Sequence, residues 1–147
     1  MPAIHREPGP RVLKHCRSPR HAGSLDPHDP AVGTGTAGSA AAGDLVRIQL
    51  YVRSQEILEA RFKAFGCSGS IASASLACEW AEGRTLSQAE AIGQEELAGA
   101  LELPLSKKHC AALAEEALRE AIRESRVKEM SLTERNDLNL PSSGGAE

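Results

Sequence analysis

The stretch LVRIQLYVRSQEILEARFKA, residues 45–64, decides the fold because apolar and polar side chains alternate on both sides of a polar turn. In the first run Val46, Ile48 and Leu50 share one face, and a period of two is typical of a half-buried strand. In the second run Leu58 and Phe62 are expected to face the same core. Two such runs separated by a short turn predict an antiparallel hairpin.

Downstream of the hairpin the apolar spacing becomes helical. Helices are predicted over residues 70–81, from a capping box at Thr85 and Gln88 to about Ile92, over residues 95–101, and from Lys107 to about Arg126. The last helix carries an i, i+4 stripe made of Leu113, Ala117, Leu118, Ala121 and Ile122. A sheet followed by helices predicts an α+β domain, with a small antiparallel sheet and helices packed on one of its faces.

The segments outside this pattern are poor in apolar periodicity. Residues 1–11 are predicted to be flexible, residues 12–126 to form the domain, and residues 127–147 to be a disordered tail. A short helix is expected around residues 12–17, ending before Pro19. The Gly- and Thr-rich residues 31–36 are a candidate for a weak edge strand.

Composition excludes several classes of function. The net charge of −3 and the scattered Lys and Arg residues disfavour a nucleic-acid surface. No apolar run reaches the roughly 18 residues of a membrane span, and no secretory signal is visible. We therefore expect a protein of the cytoplasm or of an organelle matrix, and take cytoplasmic as the prediction. In a reducing compartment, four cysteines without a CxxC pair favour metal binding or thiol chemistry over a disulfide framework.

Four residues of metal-ligand type stand at three separated turns: Asp44, Cys67, His109 and Cys110. Two thiols, an imidazole and a carboxylate suit a soft or borderline metal such as zinc or iron. Taken singly, each also has a plain structural interpretation. Either cysteine could be a small buried core residue, His109 an exposed helix residue, and Asp44 a turn residue after Gly43.

Cys110 has the strongest case for reactivity. Ser106 is a plausible helix N-cap, which places Cys110 in the first turn, and Lys107 and Lys108 precede it. A helix N-terminus and nearby cations both lower a thiol pKa. Cys16 and Cys78 are assigned structural roles, Cys78 because it lies in the middle of a predicted helix.

Taken together, these motifs resemble the IscU/NifU-type iron–sulfur cluster assembly scaffold family over roughly residues 12–125. The resemblance implies a compact α+β fold with one exposed assembly site of three cysteines, an aspartate and a histidine. On this chain that site is Asp44, Cys67, His109 and Cys110, with Ala42 in place of the first cysteine. The motifs that carry it include Val12-Leu13-Lys14-His15, Ser18-Pro19-Arg20, Val32-Gly33-Thr34-Gly35, Gly43-Asp44, Phe62-Lys63-Ala64-Phe65-Gly66-Cys67, Glu79-Trp80 and His109-Cys110.

The resemblance also implies a non-enzymatic function and a set of partners. Such a scaffold receives sulfur from a cysteine desulfurase, with Cys110 as the acceptor, binds iron, builds a transient [2Fe–2S] cluster and transfers it to apo iron–sulfur proteins. Zinc is the alternative metal of the resting state. Bacterial members carry a Leu-Pro-Pro-Val-Lys segment for an Hsp70 chaperone and its J-type cochaperone, and here this segment reads Leu103-Pro104-Leu105-Ser106-Lys107.

Ala42 leaves three interpretations open. The chain is a scaffold that uses the remaining four donors, or a divergent zinc- or iron-binding paralogue that has lost assembly and modulates the desulfurase, or a scaffold into which Ala42 was engineered. Structural zinc binds with about 10–16 kcal/mol, so one of four equal ligands is worth roughly 3–4 kcal/mol. Metal binding is therefore expected to be weakened by Ala42 but not lost.

Overall fold

The structure is a computed structural model that describes residues 9–12, 21–39 and 41–140, with side chains described as far as residue 131. Residues 10–12 are helical, and from residue 21 onward three strands come first and are followed by helices. In chain order the elements are β1 (Val32–Ser39), β2 (Asp44–Arg53), β3 (Glu56–Phe65), α1 (Ser68–Ala81), α2 (Leu86–Glu90), α3 (Gln94–Leu101), a 3₁₀ turn (Leu105–Lys107) and α4 (Lys108–Leu140).

The predicted hairpin is the centre of an antiparallel sheet with strand order β1-β2-β3. Val46, Ile48 and Leu50 of β2 are fully buried, as their alternation predicts. The segment expected to be a weak edge strand is β1, which pairs with β2 along its whole length. The hairpin therefore supplies the buried face of the sheet, and its strand β2 also pairs with β1.

Leu58 does not face the core as predicted, because β3 contains a bulge. Tyr51 pairs with Glu59 while Val52 pairs with Ile57, so Leu58 is the extra residue between them. As a result Ile57 is fully buried and the Leu58 side chain is 49% exposed. From Ala60 onward the predicted alternation holds, since Ala60 and Phe62 are both buried.

The helices cover one face of the sheet, as predicted for an α+β domain. α4 lies along β1 and β2, α1 packs against β3 and α4, and α3 packs on α4. The predicted capping box of Thr85 and Gln88 is present at the start of α2. α1 is buried nearly all round, including Cys78, which is fully inaccessible. None of the helices in the described part of the chain is long and apolar enough to cross a membrane.

The last helix is longer than predicted: α4 does not end near Arg126 but continues to Leu140. The prediction of a disordered tail from residue 127 is therefore wrong as far as residue 140. The first turn of the extension is held by polar contacts that an apolar stripe does not reveal, since Gln55 donates to Glu129 and Lys128 donates to the loop before β1. The described residues do not include residues 1–8, residues 141–147, most of the predicted N-terminal helix or Cys16.

Lys128→Met is expected to lower the free energy of unfolding by about 2 kcal/mol, because a charged hydrogen-bond donor is lost from a partly buried position. Lys128 Nζ donates to the carbonyl oxygens of Pro27 (2.9 Å), Asp29 (3.2 Å) and Val32 (2.7 Å). Urea denaturation measures the effect, with the exposed Lys63→Met as control. Equal midpoints for the two variants would contradict this role of Lys128.

Candidate functional site

The four predicted ligand residues come from three places where elements begin. Asp44 is the first residue of β2. Cys67 follows β3 and is the N-cap residue of α1. His109 and Cys110 lie in the first turn of α4. Because the start of β2 pairs with the end of β3, and α1 packs against α4, these positions meet at one end of the domain.

The two thiols are in contact, with Cys67 Sγ 3.4 Å from Cys110 Sγ. Two thiolates on one tetrahedral zinc, each at about 2.3 Å from the ion, lie about 3.8 Å apart. The sulfur atoms are therefore close to the spacing that a shared metal requires. Gly69 permits this approach, since a Cβ at that position would lie 3.1 Å from Cys110 Sγ.

Asp44 and His109 complete a continuous set of contacts with the thiols. Asp44 Oδ2 lies 3.5 Å from His109 Nε2, and the same nitrogen lies 3.7 Å from Cys110 Sγ. Asp44 Oδ1 accepts the Cys67 N–H at 3.3 Å. The His109 side chain is 54% exposed and that of Asp44 is 20% exposed. The structure thus brings together all four residues that the sequence singled out.

Gly66 allows the Asp44 carboxylate to lie against the turn before Cys67. Its φ of +138° is unfavourable for any residue with a side chain. A Cβ there would overlap Asp44 Oδ1 and lie 2.9 Å from the Gly43 carbonyl oxygen. The glycine therefore serves both the turn and the carboxylate beside it.

Sequence reasoning missed Ser70 as a member of the site. Its hydroxyl donates to Asp44 Oδ1 at 2.8 Å and its oxygen lies 3.8 Å from Cys67 Sγ. Ser70 is fully buried. One signal was available in the sequence, because Ser70 lies three residues after Cys67, a position that faces the N-cap of a helix. The neighbouring Ser68 and Ser73 left it open which serine would face the site.

Hydrogen bonds lower the pKa values of Asp44 and Cys67. Burial raises the pKa of the Asp44 carboxyl, but donation from Ser70, from the Cys67 N–H and from His109 outweighs it. Burial likewise raises the pKa of the Cys67 thiol, but hydrogen bonds from the Ser70 N–H, the Cys110 thiol and the Gly69 N–H stabilise the thiolate more strongly. Both groups therefore lose their protons at a lower pH than they would without these hydrogen bonds.

The prediction that Cys110 has the lowered thiol pKa is wrong. Burial raises the pKa of Cys110 to about 11, and the neighbouring Cys67 and Asp44 add to the increase. Cys110 is fully buried, whereas Cys67 is partly exposed. Ser106 also does not cap α4, because it lies inside the 3₁₀ turn, whose N-cap is Pro104. The helix-terminal effect is thus smaller than the cost of a second buried anion beside Cys67.

We expect iodoacetamide to alkylate Cys67 more than about tenfold faster than Cys110 between pH 7 and 8 in protein freed of metal by a chelator. The rate follows the thiolate fraction, which rises earlier for the lowered pKa of Cys67 than for Cys110 at about 11. Peptide mapping by mass spectrometry measures both rates. In Cys67→Ser the Cys110 pKa should fall, since a neighbouring anion is removed. Faster alkylation of Cys110 in the unaltered chain would contradict the assignment.

The donor chemistry fits zinc or iron, but the side chains are paired with one another. Within residues 9–12, 21–39 and 41–131, no three His, Cys, Asp or Glu side chains already converge as ligands of one ion. Binding a metal would replace the Cys67–Cys110 and Asp44–His109 contacts by bonds to the ion. Two thiolates, an imidazole and a carboxylate then supply the four donors of a tetrahedral site.

Ala42 lies in the turn between β1 and β2, two residues before Asp44. Its side chain is exposed, and its N–H donates to the carbonyl oxygen and the hydroxyl of Ser39, at 3.2 and 3.1 Å. Cys78 is buried in the core and does not contribute to the site. Burial raises the pKa of Cys78 far above that of a free thiol. Its predicted structural role fits this position.

Comparison with known proteins gives a consistent set of relatives. The family model of the NifU-like N-terminal domain matches residues 9–131. The iron–sulfur cluster assembly scaffold protein IscU of Azotobacter vinelandii is 48% identical over 119 residues, which cover 80% of this chain and 93% of that protein. The iron–sulfur cluster assembly enzyme IscU of Drosophila melanogaster is 42% identical over 119 residues, or 80% of this chain and 77% of that protein.

A solved structure supports the same fold. The crystal structure of the N-terminal part of a NifU-like nitrogen-fixation protein from Brucella abortus matches with a TM-score of 0.62 over 82% of this chain and 94% of that one. Sequence identity over the match is 17%, so this likeness bears on the fold alone. The α+β architecture is thus found in a protein whose sequence has diverged widely from this one.

Proposed function

The chain belongs to the NifU-like N-terminal domain family, and on this premise we propose that it is a scaffold for iron–sulfur cluster assembly. The observation that carries the proposal is the convergence of Cys67, Cys110, Asp44 and His109 at one end of the domain, with the two sulfur atoms 3.4 Å apart. Thiolates are the usual ligands of iron–sulfur clusters, and histidine replaces cysteine on one iron in some of them. A [2Fe–2S] cluster is the cargo of this site.

The role proposed for the protein is non-enzymatic. The A. vinelandii relative is called a scaffold protein and the D. melanogaster relative an assembly enzyme. His109 Nε2 lies within reach of the Cys110 thiol, but the same nitrogen also faces the Asp44 carboxylate, so it is shared between the two groups and is not committed to the thiol as a general base. The site is therefore suited to holding iron and sulfur that partners supply and accept.

A cysteine desulfurase is the proposed sulfur donor and Cys110 the proposed acceptor. In this step the Cys110 thiolate attacks the terminal sulfur of a persulfide on the desulfurase. The persulfide S–S bond breaks, a new S–S bond forms on Cys110, and the desulfurase cysteine leaves as a thiolate, so that no net oxidation occurs. The competing acceptor is Cys67, which is more exposed and has the lower pKa.

Other partners follow from the same role. Apo iron–sulfur proteins are the proposed recipients of the cluster. An Hsp70 chaperone with its J-type cochaperone is a further candidate, although Leu105 and Ser106 alter the centre of the expected recognition segment. We also propose a cytoplasmic location, because a site built on two free thiols requires a reducing compartment. Zinc is the proposed occupant between rounds of assembly, held by the same four residues.

Ala42→Cys is expected to increase the occupancy or lifetime of the cluster, because it adds a thiolate two residues from Asp44. Because Asp44, Cys67, His109 and Cys110 already supply four donors, the new thiolate would replace Asp44 or His109 on zinc, so zinc affinity should rise by less than the roughly 3–4 kcal/mol of a whole ligand. Ala41→Cys, in the same exposed turn, is the matched control. Chelator competition and the decay of visible absorption measure the two effects. Equal gains in both variants would argue that position 42 has no special relation to the site.

Cluster transfer tests the scaffold function. The protein is loaded anaerobically with iron, cysteine, a cysteine desulfurase and a thiol reductant that reduces the delivered persulfide sulfur to sulfide, and is then mixed with an apo [2Fe–2S] protein. A scaffold should lose its visible absorption while the acceptor gains a cluster. A chain that binds one zinc or iron ion per molecule and delivers no cluster would instead be the divergent metal-binding paralogue that modulates the desulfurase.

A further inference from the structure

We infer that the Ser70 hydroxyl positions the Asp44 carboxylate as a metal ligand of the site. This inference rests on the function proposed above. The juxtaposition that points to it is a buried serine on α1 whose hydroxyl lies between the carboxylate of Asp44 and the thiol of Cys67. Ser70 itself is not proposed as a ligand.

The hydrogen bond of Ser70 has a defined direction. A serine hydroxyl has one proton to donate, and Asp44 Oδ1 at 2.8 Å is a carboxylate acceptor. Ser70 is fully buried, so water does not compete for this proton. The backbone N–H of Cys67 approaches the same oxygen at 3.3 Å. Oδ1 is thus held by two donors, both from the first turn of α1.

The consequence is a fixed orientation of the other carboxylate oxygen. With Oδ1 held by Ser70 and Cys67, Oδ2 faces His109 Nε2 at 3.5 Å. Oδ2 is therefore the carboxylate oxygen that remains free to bind a metal, and it faces His109 and Cys110. The Ser70 oxygen also lies 3.8 Å from Cys67 Sγ, but its one proton is donated to Asp44. Partners of this kind typically contribute 10–100-fold to metal affinity.

The same helix offers a matched control in Ser73. It lies about one turn further along α1 and is also fully buried. Its hydroxyl has no hydrogen-bond partner among the side chains and backbone that the structure describes. Ser73→Ala therefore removes the same group from the same helix without affecting Asp44.

The test is a double-mutant cycle on zinc affinity, measured by competition with a chromophoric chelator. We expect Ser70→Ala to weaken zinc binding by about 10–100-fold. Ser73→Ala should change it by less than about twofold. In an Asp44→Ala background, adding Ser70→Ala should change the affinity by less than about threefold, because a positioning residue acts only through the group that it positions. Circular dichroism checks that every variant is folded.

Three outcomes would overturn the inference, and one of them also bears on the site itself. An equal loss from Ser70→Ala with and without Asp44 would indicate a general structural role. Unchanged affinity in Ser70→Ala would show that Asp44 needs no such support. Absence of zinc binding by the unaltered chain would remove the metal site, whereas the first two results leave the scaffold function intact.

Discussion

Gly35→Ala is expected to lower the free energy of unfolding by more than about 3 kcal/mol, the upper end of the usual cost of overpacking. β1 runs so close to α4 that a Cβ on Gly35 would overlap the Ala117 carbonyl oxygen and the Ala121 amide nitrogen. Both are backbone atoms of a helix, so neither can move aside as a flexible side chain could. The helix would have to shift away from the strand, and with it the end of the domain that carries His109 and Cys110.

Gly99→Ala is the matched control for that prediction. Gly99 lies within α3, and a Cβ there would meet nothing within 4 Å. The same chemical change should therefore stabilise the domain by about 0.5–1 kcal/mol, because alanine is the better helix former. Urea denaturation followed by circular dichroism compares the two variants. Similar midpoints would show that the contact of β1 with α4 is not the constraint that the geometry indicates.

Cys110→Ser is expected to reduce sulfur uptake from a cysteine desulfurase by more than about tenfold in a single turnover, because the transferred sulfur is carried as a persulfide, which a cysteine sulfur can form and a serine oxygen cannot. The variant keeps the size and the buried position of the side chain. Mass spectrometry of the reacted protein counts the added sulfur atoms and locates them.

Two further cysteine variants make this result specific. Cys78→Ala should leave sulfur uptake unchanged, because Cys78 is buried in the core away from the site. Cys67→Ser should retain uptake at Cys110. If uptake instead survives in Cys110→Ser and disappears in Cys67→Ser, the acceptor is Cys67, in agreement with its greater exposure and lower pKa.

The strands could be predicted where the alternation within one strand determines the structure. They could not be predicted where the pairing between two strands determines it. Alternation identified the core face of β2 through Val46, Ile48 and Leu50, since one face of a strand repeats every second residue. The bulge that exposes Leu58 depends on the register between two strands, which the alternation in either one alone does not encode. The extension of α4 past Arg126 depends on contacts of Lys128 and Glu129 with residues about 75 to 100 positions away in sequence.

The candidate site was likewise predictable only in part, since its residues could be named but their pKa values could not. Asp44, Cys67, His109 and Cys110 could be named from residue type, position at turns and family resemblance. Their electrostatics could not, because the pKa of Cys110 is raised by its burial beside Cys67 and Asp44, which are distant in sequence. Ser70 was missed for a similar reason, since its role depends on Asp44, 26 residues earlier.

The central claim is that Asp44, Cys67, His109 and Cys110 hold a cluster although position 42 is alanine. Its most direct measurement is the iron and acid-labile sulfide content of the unaltered chain after anaerobic reconstitution with a cysteine desulfurase, beside the Cys67→Ser and Cys110→Ser variants. We expect about two irons and two sulfides per chain, as a [2Fe–2S] cluster requires, and loss of both in the two variants. Iron or zinc without sulfide on the unaltered chain would contradict it.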